Sequence, residues 1–382
     1  MKKKLMILWL VAMVLLPSAL LFAGGGSERA AAPAAETLYD SSDWDAVMAA
    51  AKEEGTVTVY AVTSRIHAAV EEFTRQTGIN VEATRLSEVE LIERVYQEAR
   101  TGVHNVDLVL IEDYPSMREL LIEPGHLVNF VPPNAIQNIP PQYHEPLVFA
   151  YVNRIIGFNT EKHASDPFTS IWDLTLPEYS GRVMVRDLAI TGEHQNAFTE
   201  LMRQSDVLEA EYQRRFDRPL EKVEDNAGLE FLRRLILNDI IVMTSDTRIA
   251  EAVGQRGQAD PPYGFFHVYS KFRDIERLNL ALDFSQNLNP TLGYYYGIYV
   301  QLAGRPRNPN AAMALANYLL TAEGFTPWSN DVGIYSMSSQ ISHHEDDMPW
   351  EWWQERLWTY DANYAAQNRG RVLDTWLRYI QQ

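Results

Sequence analysis

The chain has 382 residues and a formal net charge of −18, with 51 acidic residues against 33 Lys and Arg. An acidic excess of this size disfavours binding to nucleic acid or to another polyanion. The absence of Cys excludes disulfides, thiolate metal sites, a Cys nucleophile and thiol-linked lipidation. The 46% hydrophobic content is ordinary for a globular protein, and the length suggests about two domains.

The first 23 residues have the layout of a secretory signal peptide. A basic start at residues 2–4 precedes an apolar run over 5–16, and small residues follow near Ala23. The run is shorter than the roughly 20 residues of a bilayer span, so an uncleaved membrane anchor is the less favoured alternative. Residues 24–40 are rich in Gly, Ala and Ser and predict a flexible leader. We therefore expect a periplasmic or extracytoplasmic protein.

Strand and helix signals alternate through the first part of the chain. The run TVTVYAV predicts a strand, and the helix after it ends at Gly78. Ser87 and Glu90 have the spacing of a capping box at the start of a second helix. The predicted strands cover 56–62, 80–86 and 106–111, with helices between them and a third helix at 116–122. This order predicts a doubly wound α/β sheet.

The alternation resumes after an unusually long apolar run over 147–158. That run is about twice the usual length of a strand, and it predicts a strand that crosses between two lobes. Asn308 and Pro309 have the types expected at the start of a helix. The other predicted elements are helices at 192–204, 228–237 and 247–253 and strands at 240–244, 263–269 and 293–301. The Trp-rich tail predicts a packed helical cap.

Polar residues stand where predicted strands meet the following helices. In open α/β sheets, ligands bind at these corners, where helix N-termini present free N–H groups. Such a set suits a carboxylate or a phosphate-like group. The alternative is that the hydroxyls only cap helices, although a cap does not explain Arg65, because the helix dipole disfavours a cation there. The corners are Thr63-Ser64-Arg65, Thr191-Gly192 and Thr244-Ser245-Asp246.

Two further groups could bind a metal ion. Glu112 and Asp113 end the third predicted strand, where they could hold a cation or only complement a helix dipole. His267 and Tyr269 share one face of the strand at 263–269, which could line a pocket or belong to the core. The runs Tyr294–Tyr296 and His343–Asp347 are better explained by strand packing and by a solvated loop.

No enzyme motif occurs in the sequence. It contains no G-x-S-x-G, H-E-x-x-H, P-loop or G-x-G-x-x-G pattern. No set of residues qualifies as acid, base and nucleophile, so we expect a binding protein without catalytic activity. A periplasmic hydrolase or lyase remains an alternative, as does a receptor that presents its ligand to a sensor.

Five segments resemble the ferric-iron-binding type of ABC-importer solute-binding proteins, within the type 2 periplasmic binding-protein fold. Their order and spacing are typical of that fold. They extend over most of residues 45–335. The segments are EEGTVTVYAVTSRIHAAVEEFTRQTGINVEA (53–83), VDLVLIEDYPSMRELLIEPGHL (106–127), WDLTLPEYSGRVMV (172–185), IAEAVGQRGQAD (249–260) and RPRNPNAAMALANYLLTAEGF (305–325).

The resemblance implies a two-lobe α/β fold, each lobe a doubly wound mixed sheet, that closes on its ligand at a hinge. Lobe 1 would comprise 41–146 and about 286–345, lobe 2 would comprise 147–285, and the cap would comprise 346–382. It also implies a monomer that delivers its ligand to a membrane permease and ATPase. The protein would hold no resident cofactor.

The resemblance also implies ligand residues. Ferric iron with a companion anion is the leading ligand, and a small phosphorylated or carboxylated molecule is the alternative. In ferric members of the family the metal is held by two adjacent tyrosines, a His and a Glu, with an anion bound at a helix N-terminus. Glu112 falls at the position of that Glu, and Thr191-Gly192 falls near the helix N-terminus that binds the anion. The family His has no counterpart in Thr63–Arg65, and of the family's two tyrosines only Tyr269 is present. The ferric site would therefore use Glu112, His267 and Tyr269.

Overall fold

Residues 39–381 are described by the structure, a computed structural model. The predicted signal peptide at 1–23, and all of the predicted leader except residues 39 and 40, lie outside these residues. Within them, the strands are β1 (Thr56–Ala61), β2 (Asn80–Arg85), β3 (Leu108–Ile111), β4 (Leu127–Val128), β5 (Val148–Asn159), β6 (Val183–Arg186), β7 (Ile241–Met243), β8 (Tyr263–Val268), β9 (Leu282–Phe284), β10 (Gly293–Ala303), β11 (Ile334–Tyr335) and β12 (Leu357–Trp358).

The α-helices alternate with these strands through most of the chain. They are α1 (Trp44–Glu54), α2 (Ile66–Thr77), α3 (Glu88–Thr101), α4 (Tyr114–Met117), α5 (Pro133–Asn138), α6 (Gly192–Arg203), α7 (Ser205–Phe216), α8 (Ala227–Leu237), α9 (Asp246–Gly254), α10 (Asp274–Leu278), α11 (Pro309–Leu319), α12 (Ala322–Ser329), α13 (Trp350–Gln354) and α14 (Ala362–Tyr379). None of the helices in residues 39–381 is long and apolar enough to cross a membrane.

One mixed sheet runs through the described residues, in the strand order β2-β1-β3-β10-β5-β8-β6-β7. At one end β1 pairs in parallel with β2 and β3, and at the other end β6 pairs in parallel with β7 and β8. The two parallel groups are joined by the antiparallel pair β5 and β10. The long apolar run therefore does form a single strand, of 12 residues, at the centre of the fold.

Local sequence signals account for several helix ends. Ser87 and Glu90 form the predicted capping box at the start of α3, with both hydrogen bonds present. Gly78 ends α2 at a φ of 77°, a left-handed conformation that Gly adopts without strain. The prediction of a strand through Tyr269 is one residue too long, because Tyr269 begins a 3-10 turn that ends at Arg273.

Two helical segments differ from the prediction. The predicted elements do not include α7, which buries only Leu208, Glu211 and Tyr212. The helix predicted at 116–122 begins two residues earlier, as α4, and continues as a π-helical turn over Arg118–Ile122. In α7 too few apolar residues face the core to give a clear helical period.

The C-terminal segment packs against the helices beside the sheet. Trp353 and Trp376 are fully or almost fully buried. Helix α14 contacts α4, α6 and α8, so it touches elements that precede and follow the long strand β5. One hydrogen-bonded sheet continues through the segments predicted as two lobes and a cap. The residue boundaries of the lobes and the cap therefore remain predictions.

Candidate functional site

A cavity of about 530 Å³ lies where strand ends from both parallel groups meet. The loop after β1, the end of β3 and the start of α3 form one side, and the end of β6 and the starts of α6 and α9 form the other. The central strands β5 and β10 form the floor. The polar lining residues are Thr63, Ser64, Arg65, Arg85, Ser87, Glu88, Glu112, Arg154, Arg186, Thr191, Thr244, Asp246, Thr247, Ser270, Lys271 and Tyr296.

Six of the ten predicted ligand-binding residues line this cavity. They come from all three predicted corners and from the end of β3, and they are Thr63, Ser64, Arg65, Glu112, Thr191 and Thr244. The carboxyl ends of parallel strands lie at one edge of a sheet, which explains why corners separated by over 100 residues meet here. The structure thus places these residues together, while their role in binding stays a prediction.

The corner after β1 is not an ordinary helix cap. The N-cap position of α2 is Arg65, and no side chain there accepts a hydrogen bond from the helix. Thr63 Oγ1 accepts a hydrogen bond from the backbone N–H of Arg65 at 3.3 Å. Ser64 Oγ has no hydrogen-bond partner among the described residues. By contrast, Ser245 does cap its helix, because its side chain accepts from the backbone N–H of Arg248.

Three basic side chains gather at one end of the cavity. Arg65 and Arg273 both pair with the Asp331 carboxylate, and the Arg273 contact measures 2.7 Å. Lys271 has neither a hydrogen bond nor an ion pair within residues 39–381. Burial, together with the nearby charges of Arg273 and Arg65, lowers the pKa of Lys271 to about 8. Asp331 therefore serves two guanidinium groups, one of which, Arg273, also lies 3.9 Å from Asp274, while the Lys271 ammonium pairs with no carboxylate of the described residues.

Two more arginines line the floor and the opposite side. Arg154 Nη1 lies 2.8 Å from Asp246 Oδ1, and Arg186 Nη1 lies 2.5 Å from Asp246 Oδ2. Arg154 Nε also lies 3.1 Å from Glu193 Oε2. Although burial opposes it, the two guanidinium groups keep the pKa of Asp246 well below its ordinary value. Asp246 is therefore ionised at neutral pH and orients both arginines.

Two carboxyl groups of the cavity are hard to ionise. Burial, followed by the nearby Glu193 carboxylate, raises the pKa of Glu112 to about 7. Burial, followed by the charges of Asp113 and Glu112, raises the pKa of Glu88 well above its ordinary value. A neutral carboxyl can donate a hydrogen bond as well as accept one. At neutral pH these groups oppose an anionic ligand less than two carboxylates would.

The charges of the lining favour an anion. Five lining residues are basic and three are acidic, namely Arg65, Arg85, Arg154, Arg186 and Lys271 against Glu88, Glu112 and Asp246. This local excess is opposite in sign to the net charge of −18. No group of three or more His, Asp or Glu side chains in the described part of the chain is arranged to hold a metal ion. The lining therefore suits an anion better than a bare cation.

Two residues of the predicted ferric site lie in the core. His267 is completely buried, stacks on the ring of Phe272, and neither of its ring nitrogens has a hydrogen-bond partner in residues 39–381. Tyr269 is 8% exposed and packs against Phe272, Phe284 and Trp353. Neither lines the cavity, whereas Glu112 does, so the structure does not bring the three together there.

Asp113 and Gly192 lie just outside the lining and support it. Asp113 is 2% exposed and caps α4 by accepting from the backbone N–H of Ser116. It also accepts a hydrogen bond from the side-chain amide of Asn196 at 3.0 Å and pairs with Arg369. Gly192 begins α6 directly opposite the Asp113 carboxylate. These contacts give Asp113 a structural role.

Sequence reasoning missed four prominent lining residues. Arg154 had a usable signal, because a charged side chain inside the apolar strand β5 needs a partner or a function. Arg186 is the last residue of β6, at the strand end where ligands bind. Tyr296 sits within a strand-like tyrosine run, and Lys271 follows β8 in a turn, so nothing local distinguishes either residue.

Solved structures of periplasmic binding proteins share this architecture. Iron-bound HitA from Pseudomonas aeruginosa superposes with a TM-score of 0.67 at 15% identity, covering 84% of this chain and 99% of that chain. AfuA from Actinobacillus pleuropneumoniae, with fructose-6-phosphate bound, gives 0.66 at 17%, covering 86% and 99%. Apo ferric ion-binding protein A from Pasteurella haemolytica gives 0.66 at 17%, covering 85% and 98%.

The chain has the two-lobe type 2 periplasmic binding-protein fold. The predicted fold class is therefore confirmed, and so is the resemblance in fold to ferric-iron-type binding proteins. No protein-family model matches the sequence, and no curated protein matches it. In this fold the cavity described above lies at the sheet edge where both sets of corners converge.

Proposed function

We propose that the protein is an extracytoplasmic solute-binding protein that captures a small anionic organic molecule, phosphorylated or carboxylated, for an ABC importer. The fold supports the binding role, since its solved relatives include periplasmic binding proteins. The observation that carries the choice of ligand is Lys271, which has no ion-pair partner within residues 39–381 and lies near Arg65 in a cavity whose lining has a basic excess.

An anion would supply what the basic end of the cavity lacks. Asp331 is the only carboxylate within residues 39–381 that pairs with Arg65, and it is shared with Arg273. Arg273 has a second, more distant carboxylate in Asp274 at 3.9 Å, so the three cations are only partly compensated. A phosphate or carboxylate would offset the remaining cost through charge-assisted hydrogen bonds. The hydroxyls of Thr63 and Ser64 stand beside the same end and could accept or donate further bonds.

Binding should be detectable by titration calorimetry with fructose 6-phosphate, citrate and ferric chloride as probes. We expect a one-to-one complex with one of the two organic anions. The variant Lys271→Met should weaken that complex roughly tenfold to a hundredfold, because a charge-assisted hydrogen bond contributes about 1.5–3 kcal/mol. Native mass spectrometry of freshly purified protein would identify a retained ligand independently.

The matched control is Lys52→Met, since Lys52 is an exposed lysine on α1 remote in sequence from the cavity residues. This variant should bind the same anion as tightly as the wild type. Equal affinities for Lys271→Met and the wild type would contradict the anionic-ligand proposal. Slow conversion of the anion, instead of stoichiometric binding, would favour the hydrolase or lyase alternative.

Ferric iron is the second candidate. Tyr296 and Glu112 both line the cavity, and hard trivalent iron prefers oxygen ligands of these types. If iron binds there, ferric loading should produce a phenolate-to-iron absorption band that is lost in Tyr296→Phe and kept in Tyr269→Phe. A colourless protein after ferric loading would reject this candidate.

A further inference from the structure

The N-terminus of helix α6 opens on the cavity. The helix has 12 residues, and its N-cap, Thr191, makes no side-chain capping hydrogen bond. A helix N-terminus offers free N–H groups and the positive end of the helix dipole, which together attract an anion. Thr191 itself lines the cavity. An external anion could be expected to bind at this end of α6.

A side chain of the protein already occupies this position. Glu88 Oε2 accepts a hydrogen bond from the backbone N–H of Glu193, the second residue of α6, at 2.9 Å. Glu88 is the first residue of α3, which is 105 positions away in sequence. It is 7% exposed, and its Oε1 has no hydrogen-bond partner within residues 39–381. The contact thus joins the segments predicted as lobe 1 and lobe 2.

The packing around the contact leaves little space. A Cβ atom on Gly192 would lie 2.5 Å from Asp113 Oδ2 and 3.4 Å from Glu88 Oε2. An added Cβ would therefore clash with the Asp113 carboxyl and touch the Glu88 carboxyl, and Gly192 avoids both contacts. Glu112 lines the same side of the cavity, so an external anion at this helix end would also meet acidic neighbours.

We propose that the Glu88 carboxyl is a built-in hydrogen-bond acceptor that fills the N-terminus of α6 and thereby directs the anionic group of a solute to the Arg65–Lys271 end of the cavity. The claim that the solute anion is directed to the Arg65–Lys271 end rests on the proposed function. The claim that Glu88 occupies the N-terminus of α6 does not depend on it. Glu88 therefore acts as a specificity-determining residue that removes one of two possible anion subsites.

Chemical rescue with formate tests the occupancy directly. Glu88→Ala should lower the thermal unfolding temperature and leave room for a small carboxylate at the helix end. Sodium formate should then raise the Tm of this variant by roughly 3 °C more than an equal concentration of sodium chloride, at about 100 mM. The wild type should show no such difference. Neither should Glu93→Ala, at an exposed position on α3, the helix that carries Glu88.

Equal formate responses in Glu88→Ala and the wild type would overturn the proposal. A second variant keeps Glu88 in place in case Glu88→Ala does not fold. Gly192→Ala should push the carboxyl groups away and speed amide hydrogen exchange in residues 191–196. Gly370→Ala, where an added Cβ meets nothing within 4 Å, should leave that exchange unchanged. Unchanged exchange in Gly192→Ala would also overturn the proposal.

The formate experiment uses no transported solute, so its result is independent of the ligand screen. A positive rescue without any bound organic anion would retain the role of Glu88 and reject the proposed ligand class. Binding of an organic anion without formate rescue would retain the proposed ligand class and reject the role of Glu88.

Discussion

At the scale of single residues, the cavity is defined by charges that the rest of the fold does not neutralise. Arg154 and Arg186 share Asp246, and Arg154 also pairs with Glu193, so these four residues form a pre-oriented group of two cations and two carboxylates. Lys271 has no such partner in the described residues, and its lowered pKa reflects the cost of burying that charge near other cations. A residue held in this way is a better indicator of ligand charge than the composition of the whole chain.

The carboxyl of Glu112 should make anion binding depend on pH. Its raised pKa of about 7 means that it is neutral below pH 7 and becomes an anion above it. Fructose 6-phosphate is already a dianion above pH 7, because the second pKa of a phosphate is about 6. We expect the dissociation constant for this probe to rise about tenfold between pH 7 and pH 9, by linkage.

Titration calorimetry at several pH values measures this dependence. Glu112→Gln should flatten most of the rise, because a neutral amide replaces the ionising carboxyl. Deprotonation of Lys271, with a pKa of about 8, acts in the same direction and accounts for the remaining slope. A wild-type affinity that stays constant or strengthens with rising pH would show that Glu112 does not face the ligand.

At the scale of secondary-structure elements, helix ends determine which corners are available to a ligand. The corner before α9 is satisfied by Ser245, and the end of α6 is satisfied by Glu88. The corner before α2 is left with a cation at the N-cap, and the Ser64 hydroxyl there has no hydrogen-bond partner in residues 39–381. Ordinary capping therefore explains one of the three predicted corners and leaves the first as the strongest candidate.

Helix α14 holds the C-terminal segment against Asp113, next to the cavity. Arg369 lies 2.9 Å from Asp113 Oδ2, and Asp113 is almost fully buried. We expect Arg369→Ala to reduce the free energy of unfolding by about 2 kcal/mol, because it leaves a buried carboxylate with weaker compensation. Chemical denaturation followed by circular dichroism measures the difference.

Arg371→Ala provides the control on the same helix. The partner of Arg371 is Asp225, which is 75% exposed, and exposed pairs contribute about 0.5 kcal/mol or less. The expected order is a clear loss of stability for Arg369→Ala and almost none for Arg371→Ala. Equal effects for both variants would mean that the Arg369–Asp113 contact does not anchor α14.

At the scale of the whole molecule, two parallel strand groups are joined through the long antiparallel strands β5 and β10. Long strands that pass through both groups can bend, while each group stays packed against its own helices. Hinge closure around a ligand is a common motion of periplasmic binding proteins, whose fold this chain shares. The predicted lobe boundaries at 146 and 285 place the bending region at the ends of these strands.

Small-angle X-ray scattering should detect closure. A saturating concentration of the bound anion should decrease the radius of gyration of the wild type, since the two groups of strands approach each other. Lys271→Met at the same ligand concentration should show a smaller decrease, because less ligand is bound. An identical radius of gyration with and without ligand would argue against a closing motion.

The sequence by itself determined the order of strands and helices, the long central strand and the corners at which polar residues gather. These depend on local periodicity and capping, as at Ser87, Glu90 and Gly78, which short-range sterics and hydrogen bonds fix. Only the tertiary structure decided which side chains share the cavity. Tyr269 and Tyr296 look alike in the sequence, yet one packs in the core and the other lines the cavity, because their directions depend on contacts between elements distant in the chain. The same reason explains Glu88, which reads as an ordinary first-turn acid of α3 until the fold brings the end of α6 against it.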